Sequence, residues 1–335
     1  MNNFYKYIII MYMSKKYKNI ELLSPAGSVE IGIAALESCA DAVYIGGEKF
    51  GARASAISTS TEESSKIKNL IEFAHSDNKK VYITVNTLFK EKELSELFSY
   101  TDKFHKMGAD SFIIQDLGVA KLIYDRYIKN SESTKFQIHA STQICVSDIY
   151  SLHLMKELGF SKVILERELS LSKIKEICKE ALKIGIDIET FIHGSMCYCI
   201  SGQCLMSSYI GGRSGNRGRC AGPCRHPYFL PNDTKHETNI LSMKDMCTLS
   251  DIGNLINAGV SSFKIEGRLR SKDYVEGVTK TYRKYIDLFL EDEKLYYDEL
   301  KMHKADDENF LYNLHKKGGF SNYLYNHNSK KMVNI

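Results

Sequence analysis

The chain has 335 residues, 43% of them apolar and 26% charged, with Lys+Arg 45 against Asp+Glu 41 and a formal net charge of +4. These values exclude a disordered, collagenous or low-complexity protein and leave one large globular domain or two small ones. So mild a positive balance puts no whole-molecule field behind nucleic-acid binding and leaves room only for a local basic patch.

The N-terminal run FYKYIIIMYM is a poor signal peptide: its apolar core is short, Lys6 interrupts it, and no small-residue cleavage site follows. Residues 1–18 are expected to be a loose tail, with translation starting near Met13. No run reaches the roughly 18 apolar residues of a membrane span, so no membrane association is expected and the cytoplasm is the expected location.

From residue 19 onward the pattern is strand, loop, helix, repeated. Short Ile- and Val-rich runs lie at 19–23, 42–46, 80–85, 111–115, 136–139, 161–166, 187–192 and 261–266. Amphipathic stretches over 29–38, 64–76, 91–107, 117–128, 147–158 and 170–183 separate them. Continuous apolar strands alternating with helices mean βαβ units and a parallel sheet. A weak repeat supports this: CADAVYI, GADSFII, GFSKVIL and GVSSFKI are similar corners from a helix into a buried strand. Eight strands predict an α/β fold of the (β/α)8 TIM-barrel type over 19–292, a domain usually of about 250 residues. A doubly wound sheet fits less well, because no GxGxxG turn follows the first strand. Residues 293–335 are expected to add a helix and a tail.

The active site of such a barrel lies at the C-terminal ends of its strands. Those ends carry His139, Glu166-Arg167-Glu168, His193 and Glu266-Gly267-Arg268, among other polar residues. His139, His193 and Glu266 are the candidate proton-transfer or orienting groups. Each alone reads equally well as a satisfied core residue; a polar residue at most strand ends favours a site.

One segment breaks the rhythm. Residues 193–240 form a long connection after the seventh strand, containing HGSMCYCISGQCLMSSYIGGRSGNRGRCAGPCR. Five of the nine Cys fall within 197–224, and clustered thiols without an export signal read as metal or cluster ligands before disulfides. Cys197, Cys204, Cys220 and Cys224 suit zinc, another divalent metal or an iron–sulfur cluster, and the spacing alone does not choose, although tight CxxC pairs are missing. Cys199 and Cys247 are spare thiols able to replace one of the four. The loop also holds Arg213, Arg217, Arg219 and Arg225, with Arg268 after the eighth strand. Their guanidinium forks suit phosphates and carboxylates, or compensate thiolate charge.

Four blocks resemble a known family, the collagenase-like peptidases: ELLSPAGSVEIGIAALESCADAVYIGG with GARA, the Cys-Arg loop, LSMKDMCTLSDIGNLINAGVSSFKIEGRLRSKDYV with TYRKYID, and NLHKKGGFSNYL. The resemblance runs from about residue 20 to 325. It implies a barrel and, as in better understood relatives, a [4Fe–4S] cluster, here on Cys197, Cys204, Cys220 and Cys224. It also implies hydroxylation of a tRNA wobble uridine or a 23S rRNA cytidine, with prephenate as co-substrate, so RNA is the expected partner. Arg213, Arg217, Arg219, Arg225 and Arg268 would then hold phosphates or prephenate carboxylates. Two alternatives come with the same resemblance. One is a collagenase-like metallo- or cysteine peptidase, for which no GxSxG or HExxH motif is present. The other is a subunit of an oxygen-independent quinone hydroxylase, working with a partner protein of the same family. Longer relatives continue into a small C-terminal β domain, whereas this chain stops at Ile335, just after GGFSNYL.

Overall fold

Each of the eight apolar runs forms a strand, and the strands close into a ring. The computed structural model describes residues 20–53, 56, 60–131, 135–201, 203–230, 232–316, 318–321 and 332–334. The expected tail over 1–18 lies outside them, as does most of the chain after residue 321. Strands β1 (Glu21–Pro25), β2 (Ala42–Gly46), β3 (Lys80–Val85), β4 (Ser111–Ile114), β5 (Gln137–Ala140), β6 (Lys162–Ile164) and β7 (Asp187–Gly194) pair in parallel in chain order. Then come β8 (Tyr228–Leu230), β9 (Asp233–Met243) and β10 (Asp245–Cys247), and after them β11 (Ser262–Ile265), which pairs with both β7 and β1 and closes the barrel. The fold is therefore the expected α/β barrel. No helix among the described residues is long and apolar enough to cross a membrane.

Local chemistry explains the rhythm. Strands such as β2 are buried along their whole length, which is why they read as apolar runs rather than alternating ones. Helices leaving the strand ends start on side-chain caps: Ser28, Asp116, Ser170 and Ser271 each accept from a backbone N–H one turn in. The four repeated corners share one backbone device. Gly108, Gly159 and Gly259 take φ of 97°, 85° and 103°, and Cys39 occupies the same left-handed position at 69° in the first corner.

The insert after β7 is more ordered than a bare connection. Turns on either side of a short helix (Met206–Gly211) carry the thiols, β8 and β9 form a hairpin, and β10 runs antiparallel to β7. The C-terminal segment returns to this insert: β12 (Phe320–Ser321) pairs with β10, and β13 (Val333–Asn334) with β9. Helix Lys272–Glu291 packs on the barrel wall and helix Glu293–Leu314 packs against it.

The lower half of the barrel interior is charged. Glu189, with no exposed surface, accepts from Lys264 Nζ at 3.0 Å and Ser262 Oγ at 2.8 Å, and Lys162 Nζ stands at 3.7 Å. Glu21 pairs with Lys162 and accepts from Tyr82 at 2.6 Å. Burial pushes the Glu21 carboxyl up, but Lys162 and these hydrogen bonds outweigh it and hold it down at about 2.

Candidate active site at the barrel mouth

A cavity of about 780 Å³ opens at the C-terminal ends of the strands. Its floor is Tyr44, Ile113, Ile164, Phe191 and Lys264, its rim the ends of β2, β3, β5, β6 and β11, and its roof the insert. Two glutamates and six cationic side chains line it: Glu168 and Glu266 against Arg53, Arg167, Arg225, Lys264, Arg268 and Arg270. The cavity wall is thus strongly positive, although the whole chain is almost neutral.

Glu266 sits at the centre. Arg53 Nη2 lies 3.0 Å from its Oε1, and the Tyr44 hydroxyl donates to Oε2 at 3.3 Å. Burial raises the Glu266 carboxyl, yet Arg53, then Arg167 and Arg268, hold it down at about 2, so it is ionised. Arg268 is 4% exposed; its Nη1 donates to Thr84 Oγ1 at 2.8 Å, and its guanidinium sits 5.9 Å from the centre of the Tyr44 ring. Burial lowers it to about 10, the mark of a cation held in a dry place. Arg167 lies 3.8 Å over the Phe191 ring and donates to the Ser195 carbonyl at 2.7 Å, while its buried Nε has no hydrogen-bond partner among the described residues. Arg270 Nη2 donates to Ser195 Oγ at 2.6 Å.

Gly194 delivers Ser195 to this position. It bends with φ of 107°, and a Cβ there would meet the Glu266 carbonyl at 2.6 Å, so only glycine lets β7 pass so close to the end of β11. Asn86 places Arg53 by accepting from the Ala52 N–H at 2.9 Å. Glu168 accepts from the Ser201 N–H at 3.2 Å and ties the thiol loop to the end of β6.

Cys197, Cys204, Cys220 and Cys224 all line this one cavity. Gly215 lies between two of them: a Cβ there would sit 3.6 Å from Cys220 Cβ and 3.8 Å from the Cys204 carbonyl. The Cys224 thiol is pushed up by burial, against Arg225, and further by Cys197, Cys220 and Cys204, so these three thiols lie close enough for Cys224 to sense their charge. Among the described residues no three His, Cys, Asp or Glu side chains are already grouped to hold an ion, so binding would have to draw the sulfurs together. The donor set fits a soft metal centre: four thiols on one wall, in a chain bent at Gly218 and Gly222. Cys199 is raised by burial and by neighbouring Cys204 and Cys197, so it is an adjacent fifth thiol. Cys247 is not available, because it lies buried on β10 against the Tyr282 hydroxyl at 3.7 Å.

Several expected site residues stand elsewhere. His139 is fully buried among the barrel charges below the cavity, edge-on to Tyr82 with ring centres 4.7 Å apart. Burial, then Lys162 and Lys264, keep it neutral. His193 lies behind β7, its Nδ1 3.3 Å from the Tyr282 hydroxyl and its ring 5.4 Å from Phe320. Neither lines the cavity. The cause is strand geometry: His139 lies one inward step below Ser141, which does line the mouth, and His193 follows inward Phe191 on the outward side, beside a register shift between β7 and β11. Of the loop arginines only Arg225 reaches the cavity wall, and it donates to the Met196 and Met243 carbonyls, a structural clasp. Arg217 and Arg219 line a separate groove, and Arg213 donates to the Arg219 carbonyl at 3.1 Å. The other arginines that line the cavity are Arg53, Arg167, Arg268 and Arg270. Arg53 carries no signal beyond the string GARA, and Arg167 was legible only as one of many polar strand ends.

Buried neutral histidines have a measurable consequence. Burial lowers His193 from 6.5 to about 4. The folded state therefore binds fewer protons than the unfolded state, so the contribution of His193 is complete above pH 6.5 and disappears as pH falls toward 4. It amounts to about 3 kcal/mol. Urea unfolding at pH 7 and pH 5 should show about 2 kcal/mol of this loss together with that of buried His139, and His193→Asn should shrink the difference by the His193 share; an equal pH slope in the variant would remove His193 as a source.

The model of peptidase family U32 matches residues 27–334. A protein of Escherichia coli K12 named 23S rRNA 5-hydroxycytidine C2501 synthase is 38% identical over 84% of this chain and 41% of its own length. An uncharacterized protease of Methanocaldococcus jannaschii is 36% identical over 86% of this chain and 69% of its own. A tRNA hydroxylation protein of Bacillus subtilis is 34% identical over 82% of this chain and 65% of its own. The chain thus spans between 41% and 69% of these relatives. With the family match covering the barrel, the thiol loop and the C-terminal helices, the chain belongs to peptidase family U32.

Proposed function

We propose that the protein hydroxylates a pyrimidine in tRNA or rRNA, with a [4Fe–4S] cluster on Cys197, Cys204, Cys220 and Cys224 and prephenate as co-substrate. The observation that carries this reading is a single cavity lined both by four thiols and by the guanidinium groups of Arg53, Arg167, Arg268 and Arg270. Two of the three relatives compared are named for RNA hydroxylation. A bound cluster supplies one-electron chemistry that side chains lack. The chain's own residues bind and orient. Arg53, Arg167, Arg268 and Arg270 hold carboxylates, with Arg268 the most sequestered. Tyr44 and Phe191 give the cavity an apolar floor that excludes water around the reacting ring. Ionised Glu266 keeps Arg53 in place and is positioned to accept a hydrogen bond from the pyrimidine or the co-substrate. A base reaches such a cavity only when splayed out of its loop.

Deletion of the gene followed by mass spectrometry of tRNA and rRNA nucleosides tests this. A hydroxylated pyrimidine should vanish, return with the wild-type chain and stay absent with Cys224→Ala, whose purified protein should carry less iron and sulfide than wild type. An unchanged nucleoside profile would overturn the reading and turn attention to gelatin cleavage or quinone hydroxylation.

A further inference from the structure

Beside the cavity lies a second concavity of about 710 Å³ that the site described above does not use. One turn of the insert divides the two. Ser214, Arg217 and Arg219 face the groove, whereas Gly215, Gly218 and Cys220 face the cavity. Arg217 pins this wall in place by donating to the Leu88 carbonyl at 2.5 Å and pairing with Glu93.

The groove's carboxylates are all engaged: Glu48 with Lys103 at 3.1 Å, Glu96 with Lys49 at 2.5 Å, and Glu93 with Arg217. Lys90, Lys92 and Arg219 also line it, all three exposed, and none has a carboxylate at ion-pair distance among the described residues. Phe50 forms its apolar part. That residue holds φ of 58°, uncommon for a bulky side chain, with its ring stacked on Phe89 at 4.4 Å. Tyr209, 94% exposed, projects from the short helix that runs into the wall. Free cations along a channel with aromatic faces nearby are the arrangement that follows a single-stranded backbone and stacks its bases.

We propose that this groove is the track for the single-stranded RNA flanking the target nucleotide, which itself passes over the 212–220 wall into the cavity. The proposal rests on the RNA reading above and deepens it by separating backbone binding from base chemistry. Phosphates run past Lys90, Lys92 and Arg219, and the thiols lie on the far side of the same turn.

The test uses the full chain and a fluorescent RNA hairpin with a pyrimidine-rich single-stranded loop, with a fully paired RNA duplex as comparison. Anisotropy titrations over a range of salt give affinity and salt slope. The triple variant Lys90→Ala/Lys92→Ala/Arg219→Ala should bind the hairpin roughly tenfold or more weakly at low salt, and its slope of log affinity against log salt should shrink by about 2, since each lost phosphate contact on a single strand contributes about 0.7. Lys92→Glu alone should weaken binding in the same direction. Unchanged thermal midpoints show that the variants fold. Wild-type binding with unaltered affinity and slope in the triple variant overturns the groove and leaves the RNA reading standing. Equal affinity for the duplex overturns the single-strand assignment. Binding of neither RNA by the wild-type chain overturns both.

Discussion

Arg268→Met should cut formation of the hydroxylated nucleoside roughly 10²–10³-fold, the usual effect of removing one preorganised donor from a dry site, and should leave the thermal midpoint unchanged or raise it. The two halves of this result come from one observation. Arg268 is 4% exposed, and its one directly hydrogen-bonded side chain among the described residues is the neutral Thr84 hydroxyl. Glu266, the nearest opposite charge, is bound to Arg53. Burying a guanidinium on these terms costs stability, and the same burial lowers it to about 10. A side chain of similar length with no charge removes that cost. It also removes the most buried arginine of the cavity wall, to which the proposed function assigns a carboxylate. Nucleoside levels in a complemented deletion strain and a melting curve of the purified variant measure the two halves. A variant that modifies RNA normally would make Arg268 a structural residue. One that melts far below wild type would show that its charge holds the barrel mouth together.

Glu189→Ala should destabilise the protein by about 3–5 kcal/mol, because it strands buried charges. Glu189 stands between Lys264 and Lys162, at 3.0 Å and 3.7 Å, and no part of it reaches solvent. Without it Lys162 keeps Glu21, but Lys264 faces another cation inside the barrel with no carboxylate. The double variant Glu189→Ala/Lys264→Met should recover most of the loss, since it removes the stranded charge together with its partner. Urea unfolding of the single and double variants decides this: a double variant no more stable than Glu189→Ala would mean that the carboxylate's hydrogen bond to Ser262, rather than the charge balance, is what the barrel requires.

The ring of charges was visible in the sequence only as scattered residues inside apolar strands. NIELL, SKVILE, DIETFI and SFKIE show the inward glutamate or lysine as an exception to an apolar run, and nothing in one strand tells which exception meets which. Pairing them takes the closure of β11 onto both β1 and β7, which sets Glu21, Ser262 and Glu189 side by side and Lys264 one inward step further along, level with Leu23 and Phe191.

The amino-acid sequence by itself determined the strand-and-helix rhythm, because a parallel strand buried on both faces must be a short apolar run and its helix must be capped and turned by particular residues. It also determined that the thiols belong together, since they crowd one loop too long to be a plain connection. Only the tertiary structure decided which polar strand ends share a cavity. Inward and outward positions alternate along a strand, and a single register shift beside His193 or one step of depth at His139 takes a side chain out of the site. For the same reason the loop arginines turned out to be clasps and groove residues, whereas Arg53, Arg167, Arg268 and Arg270, from three distant parts of the chain, converge because barrel closure brings the strand ends together.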